Sequence, residues 1–216
     1  MQIVVGMATM RGRELHVKKA VKSLEMNRRK PDKIFLYDNA VREDLTDNGK
    51  FWGLTQVTEP VYYLSCDDDL IYPNDYVATC INGIEKYNSI VTFHGRQLLG
   101  AGKNYYHGHN NFPFSKNVPM SIEIDVPGTG VTAFRTDYFN PVGLHLAEDK
   151  KMADLVFAVE ASKQEKTITH LKHRAGWVRA QSIPIEKTIY GMEHRNCDRQ
   201  SELADLVWKY KFGGGA

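Results

Sequence analysis

Apolar positions in this chain recur at two spacings, and their order lays out a series of elements. Ile3 to Met7 is a short apolar run followed by Ala8-Thr9-Met10-Arg11-Gly12-Arg13, which predicts a strand and then a turn. Val17, Ala20, Val21 and Leu24 fall at i, i+3, i+4 and i+7, the buried face of a helix. Arg28-Arg29-Lys30 suits the negative end of that helix, and Pro31 stops it. Lys33 to Asn39 predicts a second strand, its apolar centre continuous as in a strand covered on both faces. Strand, helix, strand in this order implies a parallel pair with a right-handed crossover.

The pattern continues with a third strand from Val61 that ends in Asp67-Asp68-Asp69. Pro73 opens a helix with Val77, Cys80, Ile81, Ile84 and Tyr87 inward. Ser89 to His94 is a further strand, and Ser121 to Val126 alternates as an edge strand does. Between them, residues 95 to 120 predict a long Gly- and aromatic-rich loop with His107 and His109, of a length that in a compact domain is functional or mobile. Val131 to Phe134 resumes a strand after Gly128-Thr129-Gly130, where a ligand could approach the backbone closely. A helix over Asp149 to Gln164, a strand over Thr167 to Leu171 and a helix over Ser201 to Tyr210 complete the α/β order. Residues 1–212 read as one domain with a mixed, mostly parallel sheet flanked by helices, and 213–216 as a flexible tail.

Composition narrows the setting. The 216 residues, 42% hydrophobic and 25% charged, suit one globular domain with a sizeable core. A net charge of +2 is too small to argue for a nucleic-acid partner alone. Cys66, Cys80 and Cys197 form no disulfide framework and point to a reducing compartment. No apolar run reaches a membrane span, and the start lacks a signal-peptide pattern, so a cytoplasmic location is expected.

The chemistry centres on the Asp triplet. Three adjacent carboxylates cannot all be buried ionised without a counter-charge. Mg²⁺ or Mn²⁺ would supply one, because hard cations take oxygen ligands from one or two carboxylates together with phosphates. Open α/β sheets bind ligands at the carboxyl ends of their strands. Thr9, Arg11 and Arg13 follow the first strand and Asp38 ends the second. Arginines there could reach a pyrophosphate, and an Asp could accept from a ribose or base. The polar segment 40–56 carries a turn at Asp47-Asn48-Gly49-Lys50 and offers Lys50 as another phosphate contact.

Taken together, Met7 through Arg13, Leu36-Tyr37-Asp38-Asn39, Asp47 through Phe51, Cys66 through Pro73, Gly128-Thr129-Gly130 and Met152-Ala153-Asp154-Leu155 resemble the small glycosyltransferases of the GT-A fold, the Rossmann-like nucleotide-diphospho-sugar transferases. The resemblance covers roughly residues 1 to 180 and is nearest to the family-2-like inverting enzymes of bacteria and phages. It implies a nucleotide-sugar-binding half over 1–95, an acceptor-binding half over 96–212, and a metal-dependent transfer from a UDP-sugar to an acceptor hydroxyl. Asp69 and Asp67 would hold Mn²⁺ or Mg²⁺, with His173 or His194 completing the shell. Thr9, Arg11, Arg13, Asp38, Lys50, Asp67 and Asp68 would contact the donor, and Gly128, Thr129 and Gly130 the acceptor. The catalytic base would be Asp154, by its apolar context, or Asp149, by its Glu148-Asp149 dipeptide.

The acceptor stays open at this level. A glycan is one candidate. A hydroxymethylated base of phage DNA is the other, which would place the enzyme in a host cytoplasm. Basic residues at Arg28-Arg29-Lys30, Lys163, Lys166, Lys172, Arg174 and Arg179 could meet its phosphates, and the aromatic loop from Tyr105 to Phe114 could stack a flipped base. Two alternatives compete with transfer: a nucleotidyltransferase, which also builds metal–phosphate sites from strand-end carboxylates, and a non-catalytic module that binds nucleotide sugar or metal. The sequence leaves the oligomeric state undetermined.

Overall fold

A computed structural model describes residues 1–141, 143–183 and 197–213 of the chain. In order, β1 (Gln2–Thr9), α1 (Glu14–Glu25) and β2 (Lys33–Asp38) form the first crossover unit. Successive 3-10 turns follow over Thr46–Gln56, then β3 (Val61–Asp67), β4 (Leu70–Ile71) and α2 (Tyr76–Tyr87). Next come β5 (Ile90–Thr92), β6 (Gly95–Leu98), β7 (His109–Phe112), β8 (Ile122–Ile124), β9 (Val126–Pro127) and β10 (Val131–Arg135). A short 3-10 turn at Leu144–Leu146, α3 (Ala153–Lys163), β11 (Ile168–His170), β12 (Arg179–Ala180) and α4 (Cys197–Phe212) complete the described elements.

Seven strands form the main sheet in the order β2-β1-β3-β10-β5-β11-β8. β2, β1, β3, β5 and β11 run one way, and β10 and β8 oppose them. Strand alternation splits the core into two layers. Ile3, Val5, Met7, Leu64 and Cys66 face Ala20 and Leu24 of α1 and the buried stripe of α2. Val4, Tyr63, Phe134 and Ile168 face the other way, onto Phe51 and Leu54 of the 3-10 segment and Phe157 of α3. A third cluster joins Leu155 and Val159 of α3 to Leu203 and Val207 of α4, beneath Leu98 and Tyr105.

Four expectations change. The segment 95–120 contains the β6–β7 hairpin, paired from Gly95↔Phe112 to Leu98↔His109. The alternating run 121–126 is divided between two sheets, because the Asp125 carboxylate turns inward to accept from Leu98 N (2.7 Å) and pair with Lys211 (2.7 Å). The helix expected from Asp149 begins only at Ala153, since Lys151 lies in the left-handed region (φ 63°), which a right-handed helix cannot contain. Asp149 therefore precedes the helix, and Asp154 sits in its first turn. The fourth change is the polar segment after β2, where the turn expected at Asp47-Asn48-Gly49-Lys50 lies within successive 3-10 turns over Thr46–Gln56. Asn39 braces its start, donating to Thr9 O (3.1 Å) and Thr46 O (2.9 Å) and accepting from Leu45 N (2.9 Å).

Candidate active site

The strand order places three carboxyl ends, those of β2, β1 and β3, side by side. They border a cavity of about 650 Å³ whose other walls come from the 3-10 segment, β6, the loop before β10, and the start of α3. Thr9, Arg11, Arg13, Lys50, Asp67, Asp68, Asp69, Thr129 and Asp154 all line it. Asp38, Asp149, Gly128, Gly130 and His173 do not.

At the β1–β3 edge each carboxylate of the triplet meets a cation from the chain itself. Thr9 Oγ1 donates to Asp68 Oδ2 (2.6 Å), and Arg13 Nη1 reaches Asp68 Oδ1 (3.0 Å) and Asp69 Oδ2 (3.2 Å). Lys50 Nζ pairs with Asp67 Oδ1. Burial pushes the Asp68 carboxyl up to about 6, although Thr9 and Arg13 pull the other way. Asp69 is raised by burial and by the neighbouring Asp67 charge, against the pull of Arg13. The side chains of Asp67 and Asp69 remain 38% and 31% exposed, whereas Asp68 is 9% exposed with both oxygens engaged. Asp68 is thus a brace, and Asp67 and Asp69 are the carboxylates open to a ligand.

That division bears on the expected metal. Among the described residues no three His, Cys, Asp or Glu side chains cluster as a self-contained metal site. Asp67 and Asp69 do fit the mode of Mg²⁺ and its relatives, in which one or two carboxylates hold a cation that also keeps phosphate oxygens. His173 lies elsewhere, its ring 5.3 Å from that of His170 and 5.9 Å from that of Phe93, with Nδ1 at 3.2 Å from Arg174 O. His194 lies outside the described residues.

Across the cavity Asp154 is held from several sides. Thr129 N and Oγ1 both donate to its Oδ1 (2.8 and 2.7 Å), and Arg96 Nη1 stands 3.5 Å from Oδ2. Burial disfavours its charge, but Arg96, the Thr129 amide, Lys50 and His94 together hold the carboxyl below its ordinary value. It is ionised at neutral pH, the form a base requires. Asp149 is instead clasped by Arg199 through two bonds, 2.7 and 2.9 Å. Asp38 Oδ1 accepts from Ala40 N (2.8 Å) and shapes its own turn.

The acceptor glycines act through packing. A Cβ on Gly130 would collide with the Asp67 carboxylate, and one on Gly128 with the His94 ring. Tyr72, 2% exposed, locks this corner by accepting from Asp67 N (2.8 Å) and donating to Gly130 O (2.8 Å). Sequence reasoning missed Asp47, Arg96 and Gln200, which also line the cavity. Asp47 Oδ2 accepts from Ala153 N at the start of α3 (3.2 Å). Arg96 stacks over Tyr105, 5.3 Å from the ring centre. Gln200 is 8% exposed, and its Oε1 has no hydrogen-bond partner among the described residues. Arg96 follows a strand end, a position that could have flagged it; nothing local marks Gln200. Of the aromatic loop, Tyr105 and Tyr106 reach the cavity, while Phe112 and Phe114 pack on His170 and His94.

No protein-family model and no curated protein matches the sequence. Solved structures do. TarS 1-349 from S. aureus in complex with UDP-GlcNAc superposes with a TM-score of 0.54 at 15% identity, over 100% of this chain and 75% of that one. The same protein in complex with UDP gives 0.53 at 15% identity, over 97% and 70%. A197 from STIV gives 0.48 at 12% identity, over 85% and 87%. With its mixed seven-stranded sheet flanked by helices, the chain has the GT-A fold. Among the described residues no helix is long and apolar enough to cross a membrane.

Proposed function

We propose that the protein transfers a sugar from a nucleotide diphosphate sugar to an acceptor hydroxyl, with inversion at the anomeric carbon. One observation carries the reading. A single cavity holds two kinds of carboxylate: Asp67 and Asp69 at the strand ends, and an ionised Asp154 on a separate helix. A site that only gathered a metal would not need the second kind. The GT-A fold supports the reading, as do the UDP and UDP-GlcNAc complexes of TarS.

The donor diphosphate belongs at the strand ends, within reach of Arg11 at the rim. Asp67 and Asp69 would hold Mn²⁺ or Mg²⁺ there, and when bound the cation offsets the charge that develops on the departing diphosphate. Asp154 faces the acceptor. Its Oδ1 already accepts two bonds from Thr129, whereas Oδ2 has only the long 3.5 Å contact from Arg96 and is the oxygen to take the proton. The acceptor oxygen bonds to the anomeric carbon, the bond from that carbon to the phosphate oxygen breaks, and its electrons leave with the nucleoside diphosphate. The proton passes to Asp154. Gln200, with its buried amide oxygen, and Tyr106 form the wall where a hydroxylated acceptor would rest.

The test is UDP release from a panel of UDP-sugars with Mn²⁺, first without acceptor, then with methyl glycosides or hydroxymethylated DNA. Release that rises with one acceptor class supports transfer and identifies the class. Pyrophosphate release from a nucleoside triphosphate, with no UDP released from any sugar donor, would favour the nucleotidyltransferase instead. UDP-sugar binding without turnover would leave the non-catalytic module.

A further inference from the structure

The sequence presents Lys50 as a loop lysine available to a phosphate. The structure buries it. Lys50 is 3% exposed on the 3-10 segment, and its backbone is fixed by Tyr63, whose buried hydroxyl donates to Lys50 O (2.6 Å). Gly6 on β1 makes room for this: a Cβ there would overlap both the Tyr63 hydroxyl and the Lys50 carbonyl. The ammonium is therefore aimed by the core.

It is aimed between the two functional ends. Lys50 Nζ pairs with Asp67 Oδ1 and stands 3.4 Å from Thr129 Oγ1. Thr129 Oγ1 is 2.7 Å from Asp154 Oδ1. Hydrogen-bond polarity orders this chain. An ammonium has only donors and an ionised carboxylate only acceptors, so the Thr129 hydroxyl accepts from Lys50 and donates to Asp154. The links run from the donor carboxylate through Lys50 and Thr129 to the base. Burial opposes the lysine charge, but Asp67, Asp47 and Asp154 outweigh it and hold the ammonium protonated.

We propose that Lys50 is a positioning residue that joins Asp67 to Asp154 through Thr129, so that the donor side and the base take up their working geometry together. The proposal rests on the transferase reading for its purpose, though not for its test. Lys50 lines the cavity, and the positioning role adds to the phosphate contact expected of it. Removing it leaves Asp67, which is 38% exposed, to be solvated, so the fold has a route to tolerate the change.

The ligand-free test follows the carboxyl ¹³C resonance of Asp154. Asp67→Asn should move that resonance in the otherwise native protein. In a Lys50→Met background the same substitution should leave it unmoved. Thr129→Val, which keeps the shape and removes the hydroxyl, should block the effect equally and serves if Lys50→Met fails to fold. An identical response of Asp154 in all backgrounds overturns the proposal, whatever the protein catalyses. With a donor identified, Lys50→Met should lower kcat about 100-fold, the cost of a modest misplacement. The donor KM should change less than about threefold, the mark of an interaction that matters in the transition state. Lys50→Arg should recover part of kcat. If the resonances are coupled but the wild-type protein neither binds UDP nor transfers sugar, the transferase reading falls while Lys50 still joins the two carboxylates.

Discussion

The two sides of the cavity are built by different kinds of structure. On the strand-end side, Thr9, Asp67, Asp68 and Asp69 stand at the carboxyl ends of adjacent parallel strands, and Arg13 immediately precedes the helix that follows β1. Topology alone brings them together. On the far side, Arg96 comes from a small antiparallel sheet, Thr129 from a loop, Asp154 from the first turn of α3 and Gln200 from α4. Only packing in three dimensions unites those. On the first side each carboxylate of the triplet pairs with a cation, whereas on the second Arg96 stands 3.5 Å from Asp154 and the buried Gln200 amide oxygen has no hydrogen-bond partner among the described residues. On the proposed reading the first side is a charge-matched seat for the donor, and the second is a wall with one unmet hydrogen bond for an acceptor.

The sharpest way to break that contrast is to neutralise the carboxylate on the far side. Asp154→Asn should lower transfer by about 10³-fold, within the range lost with a general base. Calorimetric binding of UDP should stay within about threefold of wild type, because the donor seat is untouched. Asp149→Asn should leave turnover nearly unchanged. Its pair with Arg199 is partly exposed, at 23% and 43%, and such pairs contribute about 1 kcal/mol or less. If Asp149→Asn abolishes transfer and Asp154→Asn does not, the base has been misplaced and the far side is not what it is taken to be.

A second pair of variants divides the strand-end side. Asp69→Asn removes an exposed carboxylate and should weaken Mn²⁺-dependent UDP binding by about 100-fold, while Asp68→Asn, which loosens only the Thr9–Arg13 brace, should cost about tenfold. Titration calorimetry with and without Mn²⁺ reads both. Equal losses would show that the triplet acts as one anionic patch without divided roles.

The same contrast separates what is legible in the amino-acid order from what is not. The Asp triplet is legible because a strand-favouring run aims its last residues at a sheet edge, and the neighbouring strands supply Thr9 and Arg13 by the same logic. The first crossover and α2 follow from periodicity, since each has one apolar face. Lys50 misleads because nothing local distinguishes a solvated turn lysine from a buried one; its burial depends on Gly6 and Tyr63, far away in sequence. Asp149 has the look of a helix start, and only the left-handed Lys151 removes it from the helix. The β6–β7 hairpin escapes because its short strands carry polar residues such as Arg96, Asn110 and Asn111 in place of an apolar alternation.

The smallest effect concerns acid stability and lies under the far side. His170 is buried with Nδ1 unpartnered among the described residues, and burial, then the neighbouring His173, push its pKa down to about 4; His94 is likewise lowered to about 4 by burial and Arg96. A histidine lowered in the folded state excludes a proton that the unfolded chain accepts. Its contribution is therefore complete above about 6.5, the ordinary histidine value, and declines as pH falls toward about 4. Asp68 works in the opposite sense. Raised to about 6, it takes up a proton in the folded state before the unfolded chain does, so acidification through that range favours folding. Wild-type protein thus shows the difference between these tendencies, which hides the histidine part. His170→Gln isolates it. Glutamine keeps a polar group for Phe112 O, which His170 Nε2 contacts at 3.1 Å, but cannot protonate. Between pH 7 and 4.5, denaturant unfolding of the variant should lose about 2 kcal/mol less stability than wild type, the amount linked to a shift of this size. Parallel pH curves for the two proteins would mean that His170 is solvated in the folded state and that this layer is wetter than its packing indicates.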